Sequence, residues 1–489
     1  MKLRSVAVLG GGPGGLYVAR LLKLSRPECQ VDVYEQSPPE QTFGFGVGLA
    51  SRTQRNLAAA DPASLADIVG ASYRHGMAMT VGDTTVRLPA GDLIAIGRST
   101  LLEILRRHAE AAGVRVHYGS RIPTPRGTDL VVAADGVSSA TREAGDFGAR
   151  ITTHRGLYLW CGTDFALPSA VFRPATTEFG TFVAHAYPYR ADRSTFLIET
   201  DQDTWRRAGF DATTDDTPFD ASDEHSLGYL TKAFHDELQG HPLIGNRTRW
   251  LRFRTVTCDR WHDGNVVLLG DAVHTAHYSI GSGTKLAMED GIALVRALDE
   301  AGDLETALRR YEEERRPEVE HLQETAHRSM LWWESFPGRL EVPVETLLVS
   351  YMTRAGKVTL DRFADLAPEV VRVALARFAG CDPASVPDSG RAAWVLRDRT
   401  VGASGRAPVP VDLPDAWGAS ADALVGRVRG PVVLSCADAR EPVLTLFDVG
   451  ERLRREADSV VTARLDRRWA EFAASALASG RIDFVEFTD

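Results

Sequence analysis

The 489-residue sequence carries 44% hydrophobic and 25% charged residues, which excludes wholesale disorder, collagen-like repeats and a membrane bundle, and its length suits about three domains. Its 66 acidic against 56 basic residues give a formal charge of −10 that repels phosphate backbones and anionic lipid, so neither nucleic acid nor a membrane is expected as a partner. Five dispersed cysteines without C-x-x-C or zinc-ligand spacing exclude a disulfide framework and predict no metal. An N-terminal apolar run too short for a signal peptide predicts a cytoplasmic location.

Residues 5–35 read as a βαβ unit. Val6-Ala7-Val8-Leu9 is a buried parallel strand, Gly10 to Gly15 a turn, 16–24 an apolar helix and 31–35 a second strand ending in Glu35. Short β-like pieces follow at 73–81 and 84–88. A helix at 100–112 ends at Gly113, then strands are expected at 114–118 and 129–134. From 151 to 257 the texture becomes antiparallel-like and aromatic, with strands at 180–189 and 194–199. A polar loop is expected at 211–224 and a helix at 227–238. The parallel pattern returns at 265–269, and helices run from 284 to about 333. Leu286, Ala293, Ala297 and Ala287, Leu294, Leu298 form one core stripe there. Glu312-Glu313-Glu314-Arg315-Arg316 reads as a solvated face that Pro317 interrupts.

A Pro, Gly and Ser-rich stretch at 381–430 reads as a linker, and β–α–β–α–β reappears beyond it. The fold expected is α/β: a doubly wound cofactor domain in three pieces (1–71, 98–150, 258–335) with an interleaved antiparallel substrate domain (72–97, 151–257). A helical region and linker (336–430) and a small C-terminal α/β module (431–489) complete the chain.

Three motifs carry the chemistry. Gly10-Gly11-Gly12-Pro13-Gly14-Gly15 matches G-x-G-x-x-G between a strand and a helix, with Glu35 placed to accept ribose hydroxyls. The glycines allow a tight turn and close approach to a pyrophosphate at a helix N-terminus. The apolar strand before Asp135-Gly136 puts a carboxylate at the C-terminal end of a parallel strand, facing the ligand crevice. Asp271, in Gly270-Asp271-Ala272-Val273-His274, again ends an apolar strand, before the Gly281-Ser282-Gly283 turn and a helix. Asp271 can accept a sugar or ribityl hydroxyl, and that helix N-terminus suits an anionic reduced flavin.

In this order the motifs resemble those of the single-component FAD aromatic hydroxylases, over residues 5–335. Tyr278 stands where the family pattern has proline. More narrowly, GDAVHTAHYSIGSGTKLAMED at 270–290, Thr42-Phe43-Gly44-Phe45-Gly46 and His185-Ala186-Tyr187-Pro188-Tyr189 are similar to the salicylyl-CoA and anthraniloyl-CoA monooxygenases. The resemblance implies a Rossmann-like FAD domain of the p-hydroxybenzoate hydroxylase type. By position, Gly10, Gly12, Gly15 and Glu35 would hold the ADP part of FAD, and Arg98 the flavin side. Asp135 and Gly136 would serve the pyrophosphate and NAD(P)H, Asp271 the ribityl and pyrophosphate groups, and Gly281 and Gly283 the isoalloxazine. It further implies reduction by NADH or NADPH, a C4a-hydroperoxide formed with O₂, and hydroxylation of an electron-rich ring. That substrate is a small aromatic compound, with an aryl-CoA thioester or a carrier-linked acid among the candidates.

His277 and Tyr278 are candidates for substrate hydrogen bonding or proton management, against simple loop packing; for His274, packing is the expectation. His185 and Tyr187 are candidate substrate contacts. Tyr187 and Tyr189 share one strand face, which equally suits a packed core. The C-terminal ending at 478–485 resembles the last αβ step of a (β/α)₈ barrel, and a structural or assembly role, including a homodimer, is expected for it. The alternative to an enzyme is a flavin-binding scaffold or partner without turnover.

Overall fold

The structure is a computed structural model that describes residues 2–38, 44–89, 91, 93–123, 125, 127–281 and 283–488. It forms two units, one of residues 1–77 and 90–330, the other of 78–89 and 331–489.

The first unit is built on a six-stranded sheet in the order His262–Asp263, Val266–Leu268, Leu130–Ala133, Ser5–Leu9, Gln30–Tyr34, Arg115–His117. Every pairing is parallel except the terminal hairpin. The central strands are runs of Val, Leu and Ala buried on both faces, as a helix-covered parallel sheet requires. The chain leaves Ser5–Leu9 toward Gln30–Tyr34 on one side, while Leu130–Ala133 and Val266–Leu268 lie on the other. This reversal brings the loops after Leu9, Ala133 and Leu268 to one edge, where an open α/β sheet places its ligand.

An antiparallel sheet supplies the second layer of this unit, with Trp250–Cys258, Ala149–Thr163, Arg193–Thr200, Gly180–Arg190 and Ala170–Thr177 side by side. Side chains alternate between its faces. One face is dry: Leu157, Leu159, Cys161, Phe182, Ala184, Phe196 and Ile198 pack against Phe210, Leu230, Phe234 and Leu238 of the following helices. The other carries Tyr158, Trp160, His185, Tyr187, Leu197 and Glu199, fixed by the register that sets Tyr158 against Glu199 and His185 against Leu197. Gly46–Leu49, Ile94–Gly97 and Tyr73–Arg74 form a small third sheet.

In the second unit four parallel strands lie in chain order, Val409–Pro410, Val432–Ser435, Val461–Asp466 and Phe484–Thr488, with Arg440–Glu456 and Ala470–Ala478 as crossover helices. Arg339 and Glu451 form a buried ion pair at 2.6 Å. Trp332 and Trp333 pack on Phe336 and Tyr351.

Four expectations change. The stretch 211–224 is not simply a loop: Phe210–Asp216 is a helix anchored by fully buried Phe210, with Asp223 accepting from Thr213 and capping Glu224–Ala233. The stretch 381–430 is not a linker. It contains the helices Arg391–Arg397 and Ala419–Arg427 and a strand, and the Val401 and Val411 N–H groups donate to Val485 and Ser435 carbonyls. Pro317 does not interrupt its helix, which runs from Leu304 to Glu334; proline forfeits one backbone hydrogen bond, and the packed helix tolerates it. Finally, 72–97 divides: Met77–Val81 and Thr84–Leu88 are strands of the antiparallel sheet, as expected, while Tyr73–Arg74 and Ile94–Gly97 belong to the small third sheet. No helix among the described residues is long and apolar enough to cross a membrane.

Candidate FAD and substrate site

The first loop at the sheet edge is shaped by close contacts. Gly10 has φ +104°, and a Cβ there would collide with the Ala134 carbonyl; a Cβ on Gly15 would collide with the Gly10 carbonyl. Gly12 is the opposite case, since a Cβ on it would meet nothing within 4 Å. It precedes the helix Pro13–Ser25, whose N-terminus has no side-chain cap, so backbone N–H groups face open space where an anion can sit. Glu35 is pinned beside it, with Oε2 accepting from Gly11 N–H and Oε1 from Ser37 N–H, both at 2.7 Å. Each oxygen keeps a further lone pair for a ribose hydroxyl.

In the second loop, Asp135 Oδ2 accepts from the Thr141 N–H at 3.1 Å and its hydroxyl at 3.0 Å. Oδ1 is buried and has no partner among the described residues. Gly136, at φ +81°, follows it with open space around its α-carbon. Arg142 is buried and donates to the Val137 and Ala272 carbonyls, tying the second loop to the third.

The third loop hangs on Asp290, a residue the motif reading passed over. Its fully buried carboxylate accepts from Gly270 N–H (3.0 Å), His274 Nε2 (2.8 Å) and Arg315 Nε (2.9 Å). Burial alone would raise its pKa, but His274 and Arg315 hold it below the usual carboxylate range. Arg315 is therefore a core cation and no part of a solvated face. His274, expected to pack or to bond the loop backbone, instead bonds this buried carboxylate. A signal for Asp290 existed: it falls at helical spacing on the apolar stripe of Leu286, Ala293 and Ala297, where an acid needs a partner.

Asp271 touches solvent yet is walled by protein, the signature of a carboxylate in a recess. The surrounding protein and Asp290 push its pKa up, while His274 and Arg98 pull it down. Arg98 opens the helix Arg98–Ala111, held there by its N–H to the Phe45 carbonyl. Gly281 (φ +61°) and Gly283, at the start of Gly283–Glu300, have open space where a Cβ would stand. Ser282, Thr42 and Phe43 lie outside the described residues.

These groups fit FAD. The space over Gly12, the orphaned Asp135 Oδ1, the recessed Asp271 beside the Arg98 guanidinium and the uncrowded Gly281 and Gly283 would hold its successive parts.

The candidate substrate residues His185 and Tyr187 lie on the polar sheet face, and His277 and Tyr278, at the start of a 3-10 turn, pack against its side chains. His185 Nε2 is 3.2 Å from Glu199 Oε2. The ring of Tyr278 lies 4.8 Å from Tyr158 and 5.9 Å from Phe253, and His277 lies 4.9 Å from Phe253. Tyr158 is also close enough to Asp271 for the carboxylate to raise its pKa, behind burial as the main cause, to about 12, so the two sides of the site meet there. Burial lowers the His277 pKa to about 3, with the imidazoles of His154, His185 and His327 adding and Glu199 opposing. His277 Nδ1 is 2.9 Å from Ser279 Oγ, which donates to Ser329. Tyr187 gives its hydroxyl proton to the Gly46 carbonyl at 2.7 Å, so its polar end holds the neighbouring strand and its ring alone is left for a ligand. Glu199, Tyr158 and His154 are further residues that motif reading missed; period-two alternation with Leu197 marks Glu199's face but gives no hint of its neighbours.

A model of the FAD binding domain matches residues 127–326. The chain is 39% identical over 375 residues to the 3-hydroxy-4-methyl-anthranilyl-[aryl-carrier protein] 5-monooxygenase of Streptosporangium sibiricum, covering 74% of this chain and 97% of that protein. It is 42% identical over 339 residues to the salicyloyl-CoA 5-hydroxylase of Streptomyces sp, covering 68% of this chain and 65% of that longer relative. Among solved structures, 2-methyl-3-hydroxypyridine-5-carboxylic acid oxygenase shares the fold with a TM-score of 0.57 at 19% identity, over 72% of this chain and 96% of that one. The glycine cradle, the two strand-end aspartates and these relatives agree, and the chain belongs to the family of FAD-dependent aromatic monooxygenases.

Proposed function

We propose that this protein uses NADH or NADPH and O₂ to hydroxylate an electron-rich aromatic ring carried as a CoA thioester or on an aryl-carrier protein. FAD, when bound, supplies the reduction and the activated oxygen; the chain supplies position and dryness. Gly10, Gly12, Gly15 and Glu35 bind the ADP end, Asp135 and Gly136 the pyrophosphate, and Asp271, Arg98, Gly281 and Gly283 the ribityl and flavin end. His277 and Tyr278 face the ring, with His185 and the Tyr187 ring in the wall behind them.

The observation that carries this reading is the meeting of the GD loop with the polar aromatic sheet face, where Tyr278 packs on Tyr158. Aromatic walls orient a ring at little entropic cost, and buried polar groups among them select its substituents. The carrier preference is supported by the two relatives above, whose names specify salicyloyl-CoA and an aryl-carrier-linked anthranilyl group.

The test is NAD(P)H oxidation by the FAD-loaded protein with 2-hydroxybenzoyl-CoA or 2-aminobenzoyl-CoA, product followed by mass spectrometry. Stimulated oxidation and a product heavier by one oxygen are expected. An oxidation rate indifferent to every aryl compound, with no oxygenated product, would reduce the protein to a flavin-binding scaffold.

A further inference from the structure

Glu199 lies at the centre of the polar sheet face, the cross-strand partner of both Tyr158 and Val183. Its Oε2 is near His185, and its Oε1 is buried without a hydrogen-bond partner among the described residues. The groups around it are His185, His277 and Tyr278. No arginine or lysine pairs with it among the described residues. A buried carboxylate without a fixed cation and with one oxygen idle is poorly suited to structural duty, because every unsatisfied lone pair weakens the fold.

We propose that Glu199 is a positioning residue of the substrate site: it holds the hydroxyl proton of Tyr278, so that the Tyr278 oxygen accepts a hydrogen bond from a hydroxyl or amino group on the substrate's ring. The inference rests on the monooxygenase reading and adds the substituent the site selects. A phenol both donates and accepts, and donating to a carboxylate makes its oxygen the stronger acceptor. Burial opposes the charge on Glu199, but His185 and the Tyr278 hydroxyl hold its pKa below the usual range, so the acceptor is present as the anion. Tyr158 and Phe253 flank Tyr278 with aromatic surface for the ring. An acceptor at that substituent draws its proton outward and enriches the ortho and para carbons, the positions an electrophilic oxygen attacks.

Equilibrium binding to the FAD-loaded full chain, read by flavin absorbance, tests this with 2-aminobenzoate and benzoate, each as free acid and as CoA thioester. Wild type should hold the amino ligand at least about tenfold tighter than its unsubstituted counterpart. Glu199→Gln and Tyr278→Phe should each erase that preference while benzoyl affinity and flavin content persist, and the double variant should add nothing more. Glu199→Asp, which keeps the charge, should retain part of the preference. Equal weakening of both ligands by Glu199→Gln, or a preference that survives Tyr278→Phe, would overturn the inference. So would a wild type indifferent to the amino group, with the monooxygenase reading left standing. A wild type that binds none of the four would overturn that reading, and the inference with it.

Discussion

Two buried carboxylates organise the two halves of the site, and they are satisfied to different degrees. Asp290 accepts from a backbone N–H, an imidazole and a guanidinium, and sits at 0% exposure among them. Glu199 has His185, His277 and Tyr278 around it and leaves one buried oxygen without a partner. Both are held below the ordinary carboxylate range against the cost of burial. A saturated network rigidifies; an unsaturated one keeps capacity for a ligand. The contrast separates a residue that builds the GD loop from one that, as proposed, serves the substrate.

The comparison breaks first at Asp290. Asp290→Ala leaves His274 without its carboxylate and Arg315 with only Glu318 and the more distant Glu289 among the described residues, and should cost about 3 kcal/mol of stability, with loss of bound flavin. Urea unfolding and flavin absorbance measure both, and Glu199→Gln should shift the same unfolding curve far less. A stable, yellow Asp290→Ala protein would abolish the distinction. Next in size are the proposed flavin contacts. Asp271→Ala removes a hydroxyl acceptor and Gly12→Ala puts a methyl group into the open space of the cradle. Each should weaken FAD by roughly tenfold or more without unfolding the chain. Wild-type FAD affinity in both variants would refute the assignment.

A further effect is set by pH. His277, at about 3 in the folded protein, lies below the roughly 6.5 of an unfolded histidine, as does His154 at about 4, where burial and His327 lower it. Between those values the unfolded chain binds more protons, so stability rises with pH and is lost as pH falls from about 6.5 toward 3. Each histidine contributes a slope of at most about 1.4 kcal/mol per pH unit. Urea midpoints at pH 7 and pH 5 should show the loss, and His277→Asn should shrink it. An undiminished pH dependence in that variant would place the proton uptake elsewhere.

The cofactor side is the readable side because backbone does its work: Gly10 and Gly15 are required by local geometry, while Gly12 leaves open space beside the helix start, and a motif records such local geometry. Asp135 and Asp271 follow from the rule that parallel strands present ligands at their C-terminal ends. The proposed substrate side draws on side chains of separate strands and a loop, Tyr158, His185, Glu199 and Tyr278. Their meeting depends on register, which a single sequence does not carry. The misread stretches share a cause. Polar composition at 211–224 and 381–430 suggested loops, but one well-buried side chain such as Phe210, or one strand-edge hydrogen bond such as Val411 to Ser435, is enough to order a segment. Arg315 was misjudged for the complementary reason, since a charged run says nothing of a buried acid 25 residues away.

The bond from Arg142 to the Ala272 carbonyl spans 130 residues of chain, and this sets a timetable for biosynthesis. The N-terminal glycine loop leaves the ribosome early, but the strand Val266–Leu268, Asp271 and the Asp290–Arg315 pair that fixes them are made some 250 to 300 residues later. At about 5–20 residues per second, the nascent chain waits roughly 15–60 s with the first βαβ unit in place and one edge of its sheet unpaired. The three loops that would hold the flavin are therefore complete only late in synthesis; the open sheet edge is Ser5–Leu9 until Leu130–Ala133 emerges, and Leu130–Ala133 from then until Val266–Leu268, a surface that a holding chaperone would have reason to cover.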